Sequence, residues 1–476
     1  MNNKYFVTIG LEIHIVLNTN TKMFSPAKST HEDTINNHLN EIDLALPGSM
    51  PSVNENAVRK GIVLANALHM QIHTNPITFD RKNYFYWDLP KNFQITQQFN
   101  PIGTNGYVIL DDENQTKISI ERIQLEEDTA KQLKVEGSDD LKLNYNRAGL
   151  PLIEIVSNPV MHSSNEVELY LKALREICVF MDVSDAKMEE GSMRVDVNIS
   201  LSKDEHTFGT KVEIKNINSI TNAKLAAEYE IKRQSEILDK NELVQQETRR
   251  FDDHTLTTVF MRKKADAIDY RYMTEPNILA IYTPESFVHE TLKTVGLHPY
   301  ELKQALKQNN INQKDINLLL SNKKIYDLFQ KAYSLTSDYK DASRWVLNEL
   351  MGVLNKQEKT IEQFSIDEEN DLLNLIKDFK ANKFNSKQAK DLFNEVFLNH
   401  KAYNEALKTL MQNSKSYSDE DILKMINEIL INNPNTKQEL TTRYEKAEKF
   451  IIGSLMKQTK GQIDPLKVKE ILNTLK

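Results

Sequence analysis

Apolar and polar residues alternate along Tyr5–Leu17, Tyr107–Leu110, Lys117–Leu125, Leu152–Ser157, Arg194–Ser200 and Thr210–Lys215. That period of two is the signature of strands with one buried face. Elsewhere the period lengthens. Glu55–His69 sets Val58, Ile62, Ala65 and Leu68 on one helical stripe behind Asn54, a capping residue. Ser164–Met181 and Asn222–Asp239 read as two further helices. Strands and helices do not alternate regularly, and no Gly-rich phosphate loop follows a strand. The pattern therefore predicts an α+β fold built on an antiparallel sheet, and argues against Rossmann and P-loop folds. From Pro284 onward strand signals nearly vanish and helical patterning dominates. Within Arg344–Leu354, Trp345 is expected to anchor a core. A break near Tyr403–Ser418 sets off a last helical unit with helices at Phe450–Thr459 and Leu466–Leu475, punctuated by Gly461 and Pro465.

Length and composition narrow the picture. A chain of 476 residues exceeds what one core usually serves, so two or three domains are expected. No run of about 18 apolar residues is present and the first residues lack a signal-peptide profile, so a cytoplasmic protein without membrane partners is expected. The single Cys178 lies among apolar neighbours and is expected in the core, with no catalytic His beside it in sequence. The net charge of −8 makes no electrostatic case for nucleic acid across the whole chain. Its distribution is uneven, however. From Lys437 to Lys476 nine Lys/Arg face five Asp/Glu, an excess of +4, whereas the preceding residues sum to −12.

Several strands deliver chemistry. Side chains two apart share a face, so Glu12 and His14 project together while Leu11, Ile13 and Ile15 take the other side. The Glu121–Asp128 stretch brings carboxylates at its end, Glu126 and Glu127 among them. Asp196 shares a face with Asn198 and Ser200, and Lys211, Glu213 and Lys215 share another. Each stretch alone also fits a solvated sheet face. Four strands of one expected sheet, each presenting an acid, point instead to a shared site for Mg²⁺ and nucleotide phosphates. Asp80–Pro90 mixes Arg81, Lys82 and Asn83 with four aromatic residues, a composition suited to phosphate and a planar base, or to a surface loop. No Gly-Ser-Ser-rich amidase segment appears, so a chain making an amide would need its ammonia from elsewhere.

Taken in order, Ile9–His14, Leu46–Gly48, Asp80–Tyr86, Gln94–Gln97, Leu125–Asp128, Asn146–Gly149, Pro151–Ser157, Met188–Ser192, Glu213–Asn216, Gln246–Arg249 and Asp269–Tyr272 closely resemble the B subunits of bacterial aspartyl/glutamyl-tRNA amidotransferases. Met456-Lys457 and Thr459–Gly461 continue the likeness downstream. The resemblance implies a cradle-shaped domain over residues 1–290, related to the glutamine synthetase and guanidino kinase fold. A helical domain over 291–404 and a YqeY-like, tRNA-binding tail over 405–476 would follow. It implies a carbon–nitrogen ligase with glutamine as amide donor. Such an enzyme uses ATP and Mg²⁺ to phosphorylate the side chain of Glu or Asp misacylated on tRNA(Gln) or tRNA(Asn), and ammonia then displaces the phosphate. The implied partners are the amidase and the small bracing protein of a heterotrimer, together with the misacylated tRNA. Carried over by position, Glu12, His14, Glu126, Glu127, Asp196 and Glu213 would hold metal, the first four as catalytic groups. Arg81, Lys82, Asn83, Lys211 and Lys215 would contact phosphate or the acceptor end. Many relatives hold zinc with two Cys pairs; Ser25, Ala27, Asn40 and Asp43 stand there in this chain, so no zinc is expected. Gln124 stands where His is common. A tRNA-binding scaffold without catalysis and a ligase for a small metabolite are the competing expectations.

Overall fold

The computed structural model describes residues 4–30, 34–135, 137–263, 269–293, 295–413, 418–459, 463 and 465–474. Fourteen strands form among them. They are β1 (Phe6–Val16), β2 (Gln71–Ile72), β3 (Asp80–Asn83), β4 (Phe93–Thr96), β5 (Gly103–Ile109), β6 (Lys117–Glu127), β7 (Lys131–Lys134) and β8 (Leu141–Asn144). After these come β9 (Pro151–Ser157), β10 (Met193–Ser202), β11 (Val212–Ile217), β12 (Glu247–Asp252), β13 (Thr257–Lys263) and β14 (Met273–Thr274). The three helices expected in this half form as α1 (Glu55–Ala67), α2 (Ser164–Phe180) and α3 (Ile220–Asp239). Asn54 caps α1 by accepting from the backbone N–H of Asn56 and Ala57.

Nine strands make one sheet in the order β13-β12-β11-β10-β1-β9-β6-β5-β2. Its apolar face carries Leu11, Ile13, Ile15, Ile123, Leu125, Ile153, Ile155, Val195 and Val197, all buried in one core with residues of α1, α2 and α3. Burying each such side chain stabilises the fold by about 1.5–3 kcal/mol. The helices thus cover one side of the sheet, and the even-numbered positions of its central strands form the other.

The sheet is mixed, not antiparallel throughout. β11 and β12 pair in parallel, with Glu213 opposite Thr248. The reason is α3, which carries the chain across between them, and a parallel pair requires such a crossover. Asp80–Asn83, whose composition also fitted a loop, is a strand between β4 and β14. Its partner in β14 lies about 190 residues downstream (Arg81 opposite Met273), beyond the reach of local pattern.

The chain divides into two units, one through Leu306 and one from Lys307. The second is helical among its described residues. Trp345 is fully buried against Phe379 and Phe393, although Arg344–Leu350 winds as a π-helical segment before Met351–Lys356 continues as α. The expected break at Tyr403–Ser418 is a helix over Tyr403–Asn413, because Tyr403 and Ala406 supply a buried face. A separate apolar cluster ties Ile422, Ile426, Ile451, Leu455, Val468 and Leu472 together near the end of the chain. Helices there run Tyr444–Gln458 and Pro465–Thr474; Gly461 lies outside the described residues.

Candidate active site

The site is built by register. β1 runs between β10 and β9, antiparallel to both, which sets Glu12 opposite Asp196 and His14 opposite both Arg194 and Glu154. β9 sets Glu154 opposite Gln124 of β6, two residues before Glu126. Alternation then brings Glu12, His14, Gln124, Glu126, Glu154, Arg194 and Asp196 to the face away from the helices. Sheet positions hold such groups more rigidly than loops do.

His14 is the hub. Its Nε2 stands 3.2 Å from Glu126 Oε1, 3.6 Å from Glu154 Oε2 and 4.0 Å from Glu12 Oε1. Among the described residues, Glu12, His14 and Glu154 offer ligand atoms that all lie within 4.8 Å of one another. Glu126 Oε1 is buried and has His14 Nε2 as its near neighbour. Three carboxylates gathered about one imidazole repel one another unless further positive charge meets them. Carboxylate oxygens with one imidazole suit Mg²⁺ or Mn²⁺, so the residues present fit a hard divalent ion.

Protonation follows from the same contacts. Burial disfavours a charged imidazole, but Glu126 and Glu154 outweigh it and raise the His14 pKa to about 10. Burial and the charge of Glu154 push Glu12 above the usual carboxylate range, whereas His14 draws Glu154 below it against burial. Gln124 Nε2 donates to Thr96 Oγ1 at 3.0 Å and to Glu154 Oε2 at 3.3 Å, so this amide orients a carboxylate of the cluster.

The remaining expected site residues separate into two groups. Near the cluster, Lys215 pairs with Asp196 and lies 3.5 Å from Glu213, which also accepts from Thr248 Oγ1 at 2.9 Å. Burial opposes the charge on Lys215, but Asp196 and Glu213 hold its pKa above the ordinary lysine value. Lys82 Nζ lies 4.9 Å from the Tyr270 ring centroid. Its pKa too is raised, burial notwithstanding, chiefly by Glu126. Lys211 lines a cavity that also reaches Glu12.

Three residues are engaged elsewhere. Glu127 follows Glu126 on the strand and so takes the opposite side, where it pairs with Lys91 and accepts from the Ile95 N–H at 3.0 Å. Arg81 makes a two-pronged contact with the buried Glu275, at 2.6 and 3.0 Å. Asn83 Nδ2 donates to the Arg271 carbonyl at 2.7 Å. Of the positions where relatives carry Cys, Ser25 donates to Asp43 Oδ1 at 2.8 Å, and Asp43 also accepts from the fully buried Lys22 at 3.0 Å.

Glu154 is the member that sequence reasoning left unassigned. It is the lone charge in the apolar run Pro151–Val156, and an acid at such a position is a legible signal. Arg194 was also passed over. It donates to Asp128 Oδ1 at 2.9 Å, while its Nε is buried without a partner.

The fold is thus a mixed sheet with an acidic, imidazole-centred polar face, and comparison with known proteins gives its family. Residues 7–289 match the model described as the GatB/GatE catalytic domain, and residues 327–475 match that described as the GatB domain. The chain is 45% identical over 463 residues to the B subunit of the aspartyl/glutamyl-tRNA(Asn/Gln) amidotransferase of Ureaplasma urealyticum serovar 10, covering 96% of each. It is 45% identical over 483 residues to that of Malacoplasma penetrans, covering 100% of this chain and 98% of the relative. With that of Mycoplasma pneumoniae it shares 42% over 470 residues, 98% and 97% of the two chains. The chain belongs to the GatB family.

Proposed function

We propose that this chain activates the side-chain carboxylate of Glu or Asp esterified to tRNA(Gln) or tRNA(Asn), for conversion to Gln-tRNA or Asn-tRNA. The observation that carries this reading is the convergence of Glu12, His14, Glu126 and Glu154 on one face of the sheet. In the reaction, a carboxylate oxygen of the aminoacyl group attacks the γ-phosphorus of ATP and ADP leaves. Ammonia then attacks the acyl carbon, the C–O bond to phosphate breaks, and the nitrogen loses a proton. Phosphate is a far better leaving group than hydroxide, which is why the activation step is needed.

Glu12, His14, Glu126 and Glu154 would hold the divalent ion. When bound, such an ion neutralises phosphate charge and fixes the γ-phosphoryl group for in-line transfer. Lys82 and Lys215, both kept charged by neighbouring carboxylates, supply the positive charge that meets phosphoryl oxygens. Asp196 and Glu213 position Lys215, and Gln124 positions Glu154.

The ammonia would come from glutamine through a partner amidase, with a small third protein to brace the pair in the cytoplasm. Residues 1–290 would form a cradle akin to glutamine synthetase and guanidino kinases. Residues 291–404 would form a helical domain. The separate core near the end of the chain and the +4 excess there support a tRNA-contacting module over residues 405–476. The test is an assay with ATP, ammonium and misacylated tRNA, omitting each component in turn. Amide formation that requires all three is expected. Binding of tRNA without turnover would point to a scaffold, and turnover without tRNA to a small-molecule ligase.

A further inference from the structure

β6 changes faces partway along its length. Up to Ile120 its buried apolar residues are even-numbered, Ile118 and Ile120; beyond it they are odd-numbered, Ile123 and Leu125. The cause is a bulge. Ile120 lies opposite Ser157 and Arg122 opposite Val156, so two steps on β6 match one on β9, and Glu121 is the extra residue. After that switch Arg122, Gln124 and Glu126 share the polar face.

From Arg122 a relay of hydrogen bonds runs in one direction only. A guanidinium can only donate, so the Gln124 oxygen must face it: Arg122 Nε donates to Gln124 Oε1 at 3.2 Å. The amide nitrogen is thereby turned to Glu154 Oε2, at 3.3 Å, and to Thr96 Oγ1, at 3.0 Å. With its oxygen accepting, the Thr96 hydroxyl donates to Glu126 Oε2 at 3.4 Å. Ionised carboxylates only accept, so the relay ends on them. Thr96 is fully buried and belongs to β4, in the three-stranded sheet, so the relay joins the two sheets at the cluster. Arg122 is partly exposed, and its Nη1 pairs with Glu121 of the bulge at 2.6 Å.

We infer that Arg122 and Thr96 are positioning residues of the metal site, acting with Gln124 to fix how Glu154 and Glu126 are turned. An amide without the guanidinium beside it can flip and set its oxygen against Glu154, acceptor to acceptor; Arg122 forbids that orientation. Thr96 holds Glu126 by Oε2, which leaves Oε1 to face His14. Partners that orient metal ligands from behind are worth about 10–100-fold in metal affinity. The inference rests on the reading that these carboxylates hold a divalent ion, and names the groups that aim them.

The experiment measures Mn²⁺ binding to the full chain by electron paramagnetic resonance, with a thermal melt of each variant. Thr96→Val and Arg122→Met are each expected to weaken Mn²⁺ about tenfold. Thr96→Ser, which keeps the hydroxyl, is expected to bind as the wild type does. Because both residues act along one relay, the double variant should lose little more than either single one. Arg122, being partly exposed, supplies the test if Thr96→Val does not fold. A lowered melting temperature with wild-type Mn²⁺ affinity in both single variants would make the relay merely structural and overturn the inference, while the metal site stands. Loss of Mg-ATP affinity with intact Mn²⁺ affinity in Arg122→Met would make Arg122 a phosphate contact and overturn it too. If the wild-type chain binds no Mn²⁺, it is the proposed metal site that fails, and the inference with it.

Discussion

His14 Nε2 lies 3.2 Å from Glu126 Oε1, although β9 separates the strands that carry them. Strands two apart are roughly 9.6 Å distant, so both side chains lean over Glu154 and the three groups meet above β9. Glu126→Gln and Glu154→Gln keep the shape and remove one charge each. Each is expected to lower the rate of ATP-dependent amidation by at least about 100-fold, the scale lost when transition-state charge goes uncompensated. Urea denaturation at pH 8 should also show a loss of up to about 3 kcal/mol, because each carboxylate pairs with the charged His14 in a largely buried setting, while tRNA affinity should hold. Variants that remain folded at the assay temperature and keep the wild-type rate would instead make the cluster structural.

Glu127 should behave differently. Its carboxylate answers Lys91 in a buried pair, and removing one partner strands the other. Glu127→Gln is therefore expected to cost about 3 kcal/mol in a urea titration while Mn²⁺ affinity stays near wild type. A variant as stable as the parent that no longer binds Mn²⁺ would put Glu127 among the ligands.

The proton on His14 gives a calorimetric signature. With a pKa of about 10, the imidazole is charged at pH 8, and its pairing with Glu126 and Glu154 stabilises the fold. Because this pKa is raised, that stabilisation is complete below the unfolded value near 6.5 and fades as pH rises through about 10. A cation takes the imidazole neutral, so Mn²⁺ binding at pH 8 should release about one proton per chain. Titrations in two buffers of different ionisation heat measure this directly. His14→Gln should release none; equal heats in both buffers for the wild type would contradict the assignment.

Much of this was legible in the chain. Alternation placed Glu12 with His14 and set their apolar neighbours on the far side, because a strand with one buried face leaves little freedom in its pattern. Register was not legible. Nothing local states that Glu154 lies opposite His14, or that Lys91 reaches Glu127; those pairings depend on which strands become neighbours. The parallel β11–β12 pair was missed for the same reason, since it follows from where α3 returns the chain. Arg81 and Lys82 looked alike in sequence, yet adjacent positions on β3 sent one to Glu275 and left the other held charged by Glu126 and Glu154.

The helical end offers a test independent of the sheet. Truncation before about residue 405 removes the segment with the +4 excess. Weaker tRNA binding is expected, with a shallower fall of log affinity against log salt, because fewer counterions are released. A filter-binding titration giving the same affinity and slope as the full chain would exclude this segment as the tRNA contact.

The most direct test of the metal–phosphate site is anomalous scattering from crystals soaked with Mn²⁺ and a non-hydrolysable ATP analogue. The expected result is a manganese peak bounded by Glu12, His14, Glu126 and Glu154, with the γ-phosphate of the analogue on the same ion. Manganese elsewhere, or nucleotide density away from these four side chains, would contradict the account.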